Sequence, residues 1–309
     1  MKEKDYTKID GNSFYKAFAK GAEQVVKKRK LLDKINVFPV ADSDTGKNMA
    51  QTLRSVAEQT SPTNSFGIVS NNMARVALSS SRGNSGIIFA QFLNGISEAV
   101  GEREYLQISE FAQVMRKAAN HAYEATNEPV EGTILTVMRE WSRSLHEFIR
   151  TKRDFFTSLD GSLQTAQKSL KETKERLHVL KEAGVVDAGA KGFVLFLEGI
   201  ASFFKTGQTA SFRNVEEIED DHAPHVNKTE GMQGPRYCTE VVISADDLDS
   251  TEVKELASQY GESLIVAGNK ERFRIHIHTD NPAKLFFDLQ KVSTILDQKV
   301  DDMNKQYEA

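Results

Sequence analysis

Two carboxylates stand two residues apart in the run Ala41-Asp42-Ser43-Asp44-Thr45-Gly46, directly before an apolar-periodic stretch at Met49, Leu53 and Val56. An aspartate pair so placed offers hard oxygen ligands to Mg2+. The run leads into a predicted helix, whose first N–H groups are unpaired and carry partial positive charge, an arrangement that binds phosphate. Carboxylates and phosphates repel one another unless a divalent ion bridges them. Three further runs of glycine and small polar residues precede apolar-periodic stretches: residues 79–86 with Arg82, Gly83, Asn84, Ser85 and Gly86, residues 131–133 with Gly132 and Thr133, and residues 186–192 with Asp187 and Gly189. In an up-down bundle alternate loops share one end, so four such helix starts are able to converge on one polyphosphate. Taken alone, each run fits an ordinary helix cap better than a binding site, and Asp-Ser-Asp-Thr-Gly is common turn composition.

A second constellation lies near the C-terminus. Residues 272–279 alternate with period two, so Phe273, Ile275 and Ile277 share one strand face while Arg274, His276 and His278 share the other. Histidines at i and i+2 are able to ligate one metal together, Cys238 offers a third ligand, and Zn2+ suits such a Cys/His/His set. The alternative is a solvated strand face carrying two ordinary histidines.

The elements that must position these residues fall into two kinds. Residues 12 to about 206 read as almost entirely helical. Phe14, Phe18, Ala22 and Val25 follow helical spacing behind Asn12 or Ser13 as cap; Ile134, Met138, Trp141, Leu145 and Ile149 extend it over four turns; Leu163, Ala166 and Leu170 give another helix before a charged stretch at 171–181. An antiparallel helical bundle or barrel follows. Residues 209–235 read as an acidic, solvated linker. Beyond it the order is strand, helix, strand, strand, helix, strand, the ferredoxin-like βαββαβ arrangement, with a turn at Asn269-Lys270, Asn281-Pro282 opening the last helix through about Lys291, and a final strand near 293–300.

Bulk properties set outer limits. The chain of 309 residues, 39% hydrophobic, is long enough for two domains. A net charge of −4 gives no reason to expect nucleic acid. The single cysteine, Cys238, excludes an internal disulfide and fits a reducing compartment. The charged start, Met1 to Asp5, lacks the apolar core of a signal peptide, and the most apolar region, 192–204, contains Glu198 and is too short to span a bilayer. A soluble cytoplasmic protein is expected.

The run Asn36-Val37-Phe38-Pro39-Val40-x-Asp42-x-Asp44-Thr45-Gly46-x-Asn48-Met49 resembles the signature of the ATP-binding domain of bacterial fatty acid kinases, which is related to the L subunit of dihydroxyacetone kinase. Arg82-Gly83-Asn84-Ser85-Gly86, Pro129-Val130-Glu131-Gly132-Thr133 and Val186-Asp187-Ala188-Gly189 match that family's later motifs in order, and Tyr237-Cys238-Thr239-Glu240 and His276-Ile277-His278-Thr279 resemble its middle domain.

The resemblance implies an eight-helix barrel over residues 1–208, a middle domain over 236–309, and ATP or ADP with two Mg2+ ions at one end of the barrel. It implies Asp42, Asp44 and Thr45 as the catalytic set, with Asp42 and Asp44 ligating Mg2+ and Asn36 a further metal candidate. Asn48, Asn84, Ser85 and Gly86 then contact phosphates with Thr45, while Thr133, Asp187 and Gly189 line the nucleotide pocket. Cys238, His276 and His278 stand as the Zn2+ candidates. The implied partner is a fatty-acid-binding protein or fused domain of the DegV type, presenting an acyl carboxylate, and the middle domain is a candidate homodimer contact. The chain stops where that domain ends, so a piece of a longer gene product is expected. Ser43 replaces the family's usual Gly, Lys47 its usual Thr, and Ser80-Ser81 its usual Gly-Ala; a Ser at 43 strains the loop if positive φ is required there. A dihydroxyacetone-like polyol kinase and a non-catalytic nucleotide-binding scaffold remain alternatives.

Overall fold

The computed structural model describes residues 6–151, 154–212, 234–245, 247–269 and 272–304. Most of the 209–235 linker and Lys270 of the expected turn lie outside the described residues. In chain order the elements are β1 (Lys8–Asp10), α1 (Gly11–Lys27), α2 (Arg29–Lys34), α3 (Thr45–Gln59), α4 (Phe66–Ser80), α5 (Gly83–Val100), β2 (Tyr105–Gln107), α6 (Ile108–Ala125), α7 (Ile134–Arg150), α8 (Phe155–Arg176), α9 (His178–Ala183) and α10 (Ala188–Thr206). There follow β3 (Tyr237–Ser244), α11 (Ser250–Ser258), β4 (Glu262–Asn269), β5 (Arg272–Thr279), α12 (Pro282–Leu289) and β6 (Thr294–Asp302).

The first part is a closed barrel. Helices α3 to α8 each pack on the next, α8 packs on α10, and α1 closes the ring between α10 and α3. The apolar spacing read in the sequence is what fills it: Phe14, Phe18, Ala22 and Val25 of α1 and Met138, Trp141 and Leu145 of α7 are all buried. Phe89, Phe92, Trp141, Phe193 and Phe196 meet mostly edge to face at its centre, the geometry that ring quadrupoles favour. Three local readings are corrected. The cap of α1 is Asp10, which accepts from Ser13 N at 2.7 Å, rather than Asn12 or Ser13. Helix α8 runs on through the charged stretch to Arg176. A small antiparallel pair, β1 with β2, ties the chain start to the α5–α6 connection; three-residue strands leave too little alternation to be seen in sequence.

The second part has the expected order. Its sheet runs β4-β5-β3-β6, every neighbour antiparallel. Asn281 caps α12 with Pro282 at its first position, and that helix ends at Leu289 rather than Lys291. One face, with Val241, Ile243, Phe273, Ile275 and Ile277, packs under α11 and α12. The other face looks to the barrel.

The sheet is docked on the barrel along β4 and β5. Ile265 and Ala267 of β4 are buried in the same core as the barrel helices. Gln91 Nε2 of α5 donates to Val266 O at 2.8 Å, and Asn127 N donates to Leu264 O at 3.1 Å. Arg274 of β5 enters between the halves. Its Nη2 donates to Glu240 Oε2 at 2.7 Å, with both side chains 6% exposed, and its Nη1 donates to Ser79 O at 3.2 Å at the end of α4. Glu240 Oε1 in turn accepts from Gly83 N at 2.8 Å at the start of α5.

Removing one member of a buried ion pair strands the other, a loss of about 3–5 kcal/mol. Arg274→Met is therefore expected to destabilise the chain by that amount in urea unfolding. Glu240→Leu with Arg274→Met is expected to recover most of it. A single-variant loss below about 1 kcal/mol, the value of a solvent-exposed pair, contradicts the buried junction.

Candidate functional site

The barrel places the N-termini of α3, α5, α7 and α10 at one end, as the four glycine-containing runs require. Close approaches at glycine bring them together. A Cβ on Gly83 would meet Asn48 Nδ2 at 2.5 Å, one on Gly86 would meet Thr52 Oγ1 at 2.7 Å, and one on Gly189 would meet Ser85 Oγ at 2.6 Å. Gly86 and Gly189 do not line the two cavities described below; their lack of a side chain lets neighbouring helices approach closely. Gly83 also has φ 59°, so a side chain there is excluded twice.

Two joined cavities occupy this end. A cleft is lined by Asn36, Asp42, Asp44, Thr45, Asn48, Gly83, Asn84 and Ser85, and on its other wall by Cys238, Glu240, His276 and His278. A cavity of about 380 Å3 is lined by Asn84, Ser85, Thr133, Ile134 and Asp187 from the barrel and by Ser258 and residues 261–265 from the sheet half. Phe38, Pro39, Asn84 and Ser85 line both. The two constellations separated by nearly 200 residues thus face a single space. The wall supplied by residues 258–265 was not foreseen, because that stretch carries only ordinary strand and turn residues.

The Asp42–Asp44 loop is braced by side chains other than Asp44. Asp44 is the residue at the cap of α3, yet its side chain makes no capping hydrogen bond. Others do that work: Asn36 Oδ1 accepts from Thr45 N at 3.1 Å, and Asp33 Oδ1 accepts from Lys47 N at 3.0 Å. Asn36 Nδ2 also donates to Val40 O at 2.6 Å and Asp42 Oδ1 at 3.3 Å. Its amide makes hydrogen bonds at both ends, so it braces the loop while also lining the cleft. An ordinary capped turn would spend the Asp44 carboxylate on the helix; here it is left facing the cleft.

Burial, with the neighbouring Asp44 charge second, pushes the Asp42 carboxyl up to about 8. Two carboxylates this close, partly out of water, hold a proton between them unless a cation replaces it. That is an environment fit for a divalent ion, with oxygen donors only from the loop. Ser43 between them has φ 57°, the conformation the sequence flagged as strained for anything but glycine. Lys47 is exposed and does not line the cleft. Ser81, just before α5, is buried with its Oγ unpartnered among the described residues.

In the second cavity Asp187 caps α10 by accepting from Ala190 N at 2.7 Å, and burial raises its carboxyl to about 6. Thr133 caps α7 weakly, accepting from Leu135 N at 3.4 Å. Both line the cavity while serving as caps. Asn84 Oδ1 is buried without a hydrogen-bond partner where the cavities meet, a vacancy for a donor on a ligand.

On the opposite wall the strand register sets Cys238 beside His278 and Glu240 beside His276. The ligand atoms of Cys238, His276 and His278 all lie within 4.8 Å of one another. Cys238 Sγ is 3.9 Å from His276 Nδ1, and His276 Nε2 is buried without a partner. Burial alone would lower His276, but the neighbouring Cys238 and Glu240 outweigh it and raise the imidazole to about 10. Burial, then the His276 charge, lowers His278 to about 3. Burial raises Glu240, yet its His276, Arg274 and Gly83 contacts overcome that and hold it well below the usual carboxylate range. Glu240 and Arg274 carried a readable signal: each stands two residues from a candidate ligand on a strand, hence on the same face.

Residues 39–202 match the family described as the DAK2 domain, and residues 234–309 match the FakA-like middle domain of fatty acid kinases. The chain belongs to the DAK2 domain family. Its two matched regions together make it FakA-like, and hence kinase-related. It is 31% identical over 312 residues to protein YloV of Bacillus subtilis (strain 168), covering 97% of this chain and 56% of that protein. It is 31% identical over 313 residues to uncharacterised proteins of Staphylococcus epidermidis (strain ATCC 12228 / FDA PCI 1200) and Staphylococcus aureus (strain USA300), covering 97% of this chain and 56% and 57% of theirs. The chain thus spans a little over half the length of these relatives. Among the described residues no helix is long and apolar enough to cross a membrane.

Two measurements follow. Asp42 binds its proton more tightly folded than unfolded, where the carboxyl titrates at 3.8. Its contribution is therefore fully present below about pH 4 and lost as pH rises to about 8. Thermal unfolding of metal-free protein is expected to show this decline, Asp42→Asn to remove it, and Mg2+ to stabilise more at pH 8 than at pH 6. A Mg2+ effect independent of pH contradicts the carboxylate pair. Separately, Ser43→Gly relieves the left-handed backbone and is expected to raise stability by up to about 1 kcal/mol in urea, while Ser43→Ala is expected not to.

Proposed function

We propose that this chain is the Mg-nucleotide-binding part of a fatty acid kinase, transferring the γ-phosphoryl group of ATP to the carboxylate of a fatty acid presented by a DegV-type binding protein or domain. The observation that carries this is the uncapped Asp44 beside Asp42, in a cleft continuous with a nucleoside-sized cavity and ringed by four helix N-termini. Asp42 and Asp44 hold the Mg2+ ions, which supply charge neutralisation for the triphosphate. Thr45, Asn48, Asn84 and Ser85 bind phosphate oxygens; Thr133 and Asp187 line the nucleoside side. Phosphoryl transfer needs positioning and electrostatic stabilisation more than a nucleophile from the kinase. A carboxylate acceptor also brings no proton to remove, whereas a polyol acceptor needs a base.

Cys238, His276 and His278 are proposed as a Zn2+ site on the facing wall, on the strength of their spacing and the unpartnered His276 Nε2. Zn2+ there requires His276 to give up its proton. The barrel, taken as residues 1–208, and the middle domain, 236–309, are proposed to act together, since both wall the nucleoside cavity. The open edge strand β6, with Leu296 and Val300 exposed, is the candidate contact for a homodimer.

Calorimetry with ADP is expected to show binding that requires Mg2+ and is weakened at least about 100-fold in Asp42→Asn and Asp44→Asn, a loss near 3 kcal/mol for a charge-assisted ligand. Nucleotide binding that survives both substitutions contradicts the metal assignment. Elemental analysis is expected to find one zinc per chain, lost in Cys238→Ser. Turnover of ATP on adding a lipid-loaded DegV-type protein, with none on adding dihydroxyacetone, fixes the acceptor; the reverse result favours the polyol kinase.

A further inference from the structure

The cleft around Asp42 and Asp44 opens on two sides. On one it joins the nucleoside-sized cavity through Phe38, Pro39, Asn84 and Ser85. On the other it joins a second cleft of about 300 Å3 through Arg82, Glu240 and Lys299. This second cleft lies between the C-terminal end of α4, at Ser79 and Ser80, and β6, at Asp297, Gln298 and Lys299. Neither the nucleotide nor the Cys238/His276/His278 cluster accounts for it.

Phosphoryl transfer sets the attacking and leaving oxygens on opposite sides of the phosphorus. With the nucleoside on the Asn84 and Ser85 side, the acceptor has to arrive from the Arg82 side. The charges on these walls are unequally committed. Arg274 is consumed by Glu240 and the carbonyls of Leu78 and Ser79. Lys299 pairs with Asp301, and Asp297 accepts from Gln298 N. Arg82 is half-buried, its backbone is extended at φ −138°, and its guanidinium has no hydrogen-bond or ion-pair partner among the described residues. Arg82 lines both clefts where they meet, with its guanidinium unpaired among the described residues.

We propose that the cleft between α4 and β6 is the acceptor side of the transfer site, and that Arg82 receives the acceptor carboxylate there. This rests on the nucleotide reading above. One carboxylate oxygen forms a bond to the γ-phosphorus as the bond from that phosphorus to the β,γ-bridging oxygen breaks. The electron pair of the broken bond stays on ADP, and no proton moves. The planar fork of Arg82 matches a carboxylate and then the equatorial phosphoryl oxygens. Val242 is the one apolar side chain among the residues lining this cleft. An acyl chain finds no trough in it, so the head group alone enters and the chain stays with the protein that presents it.

Labelling of Arg82 by phenylglyoxal, read by peptide mass spectrometry on the full chain, tests the placement without turnover. Mg-ADP, with binding followed by calorimetry, is expected to slow labelling less than about twofold; adding the methylene phosphonate analogue of hexanoyl phosphate is expected to slow it at least about tenfold. Full protection by Mg-ADP alone puts Arg82 on the nucleotide side and overturns the proposal. So does an analogue that gives no protection while Mg-ADP is bound. Absence of Mg-dependent ADP binding in calorimetry is a different failure, that of the nucleotide reading itself. With a lipid-loaded DegV-type protein as acceptor, Arg82→Gln is expected to lower kcat/KM at least about 100-fold with Mg-ADP affinity kept within about twofold, and Arg82→Lys to recover part. Unchanged turnover in Arg82→Gln, or a tenfold loss of its Mg-ADP affinity, overturns the assignment.

Discussion

The buried contact between Glu240 and Arg274 is the interaction on which the rest of the structure depends. Two charges removed from water repay that loss only with good geometry and further hydrogen bonds. Here the bonds come from helix ends of matching sign. Arg274 lies against the last carbonyls of α4, where the helix dipole is negative, and Glu240 takes the Gly83 N–H at the start of α5, where it is positive. The α4–α5 turn, with Arg82 and Gly83, is thereby fastened to the sheet.

That fastening explains why the site is composite. Glu240 also stands 3.6 Å from His276, so one carboxylate touches both the start of α5 and the Cys/His/His cluster. A change in charge at the cluster, by protonation or metal binding, is felt by the group that holds Gly83. The loop at residues 36–44 is fixed from the opposite direction, by Asn36 and by Asp33 on α2. The carboxylates facing the cleft are thus held by hydrogen bonds from neighbouring side chains, the arrangement that keeps a site rigid while leaving its chemistry free.

Much of this was legible in the residues. Helical spacing in α1 and α7 and period-two alternation in β5 follow directly from burial, so the barrel and the βαββαβ order could be read. The four glycine-containing helix starts could be read too, because close approach and positive φ leave few substitutes; Ser43, at φ 57°, shows the rule by breaking it. What could not be read was tertiary. Nothing local says that Asp44 is relieved of capping, since the relief comes from Asn36 and Asp33. Nothing local says that Asp42 and Cys238 face the same space, or that residues 258–265 wall the adjoining cavity. Gly86 and Gly189 were identified by motif, but their close approach to Thr52 and Ser85 could not be read, because a glycine that admits a neighbouring helix and one that admits a ligand look alike in sequence.

The burial of Ile265 and Ala267 among the barrel helices bears on how such a chain is dissected. The acidic stretch after α10 looks like a natural place to cut. A fragment ending there keeps every barrel helix but bares the α5 and α6 surfaces that β4 covers, and leaves Gln91 and the Asn127 N–H without their carbonyl partners. Such a fragment is a poor surrogate for the barrel as it exists in the chain: its greasy flank invites self-association, and the larger cavity lacks a wall. Weak ligand binding by it would report on the surgery rather than on the protein.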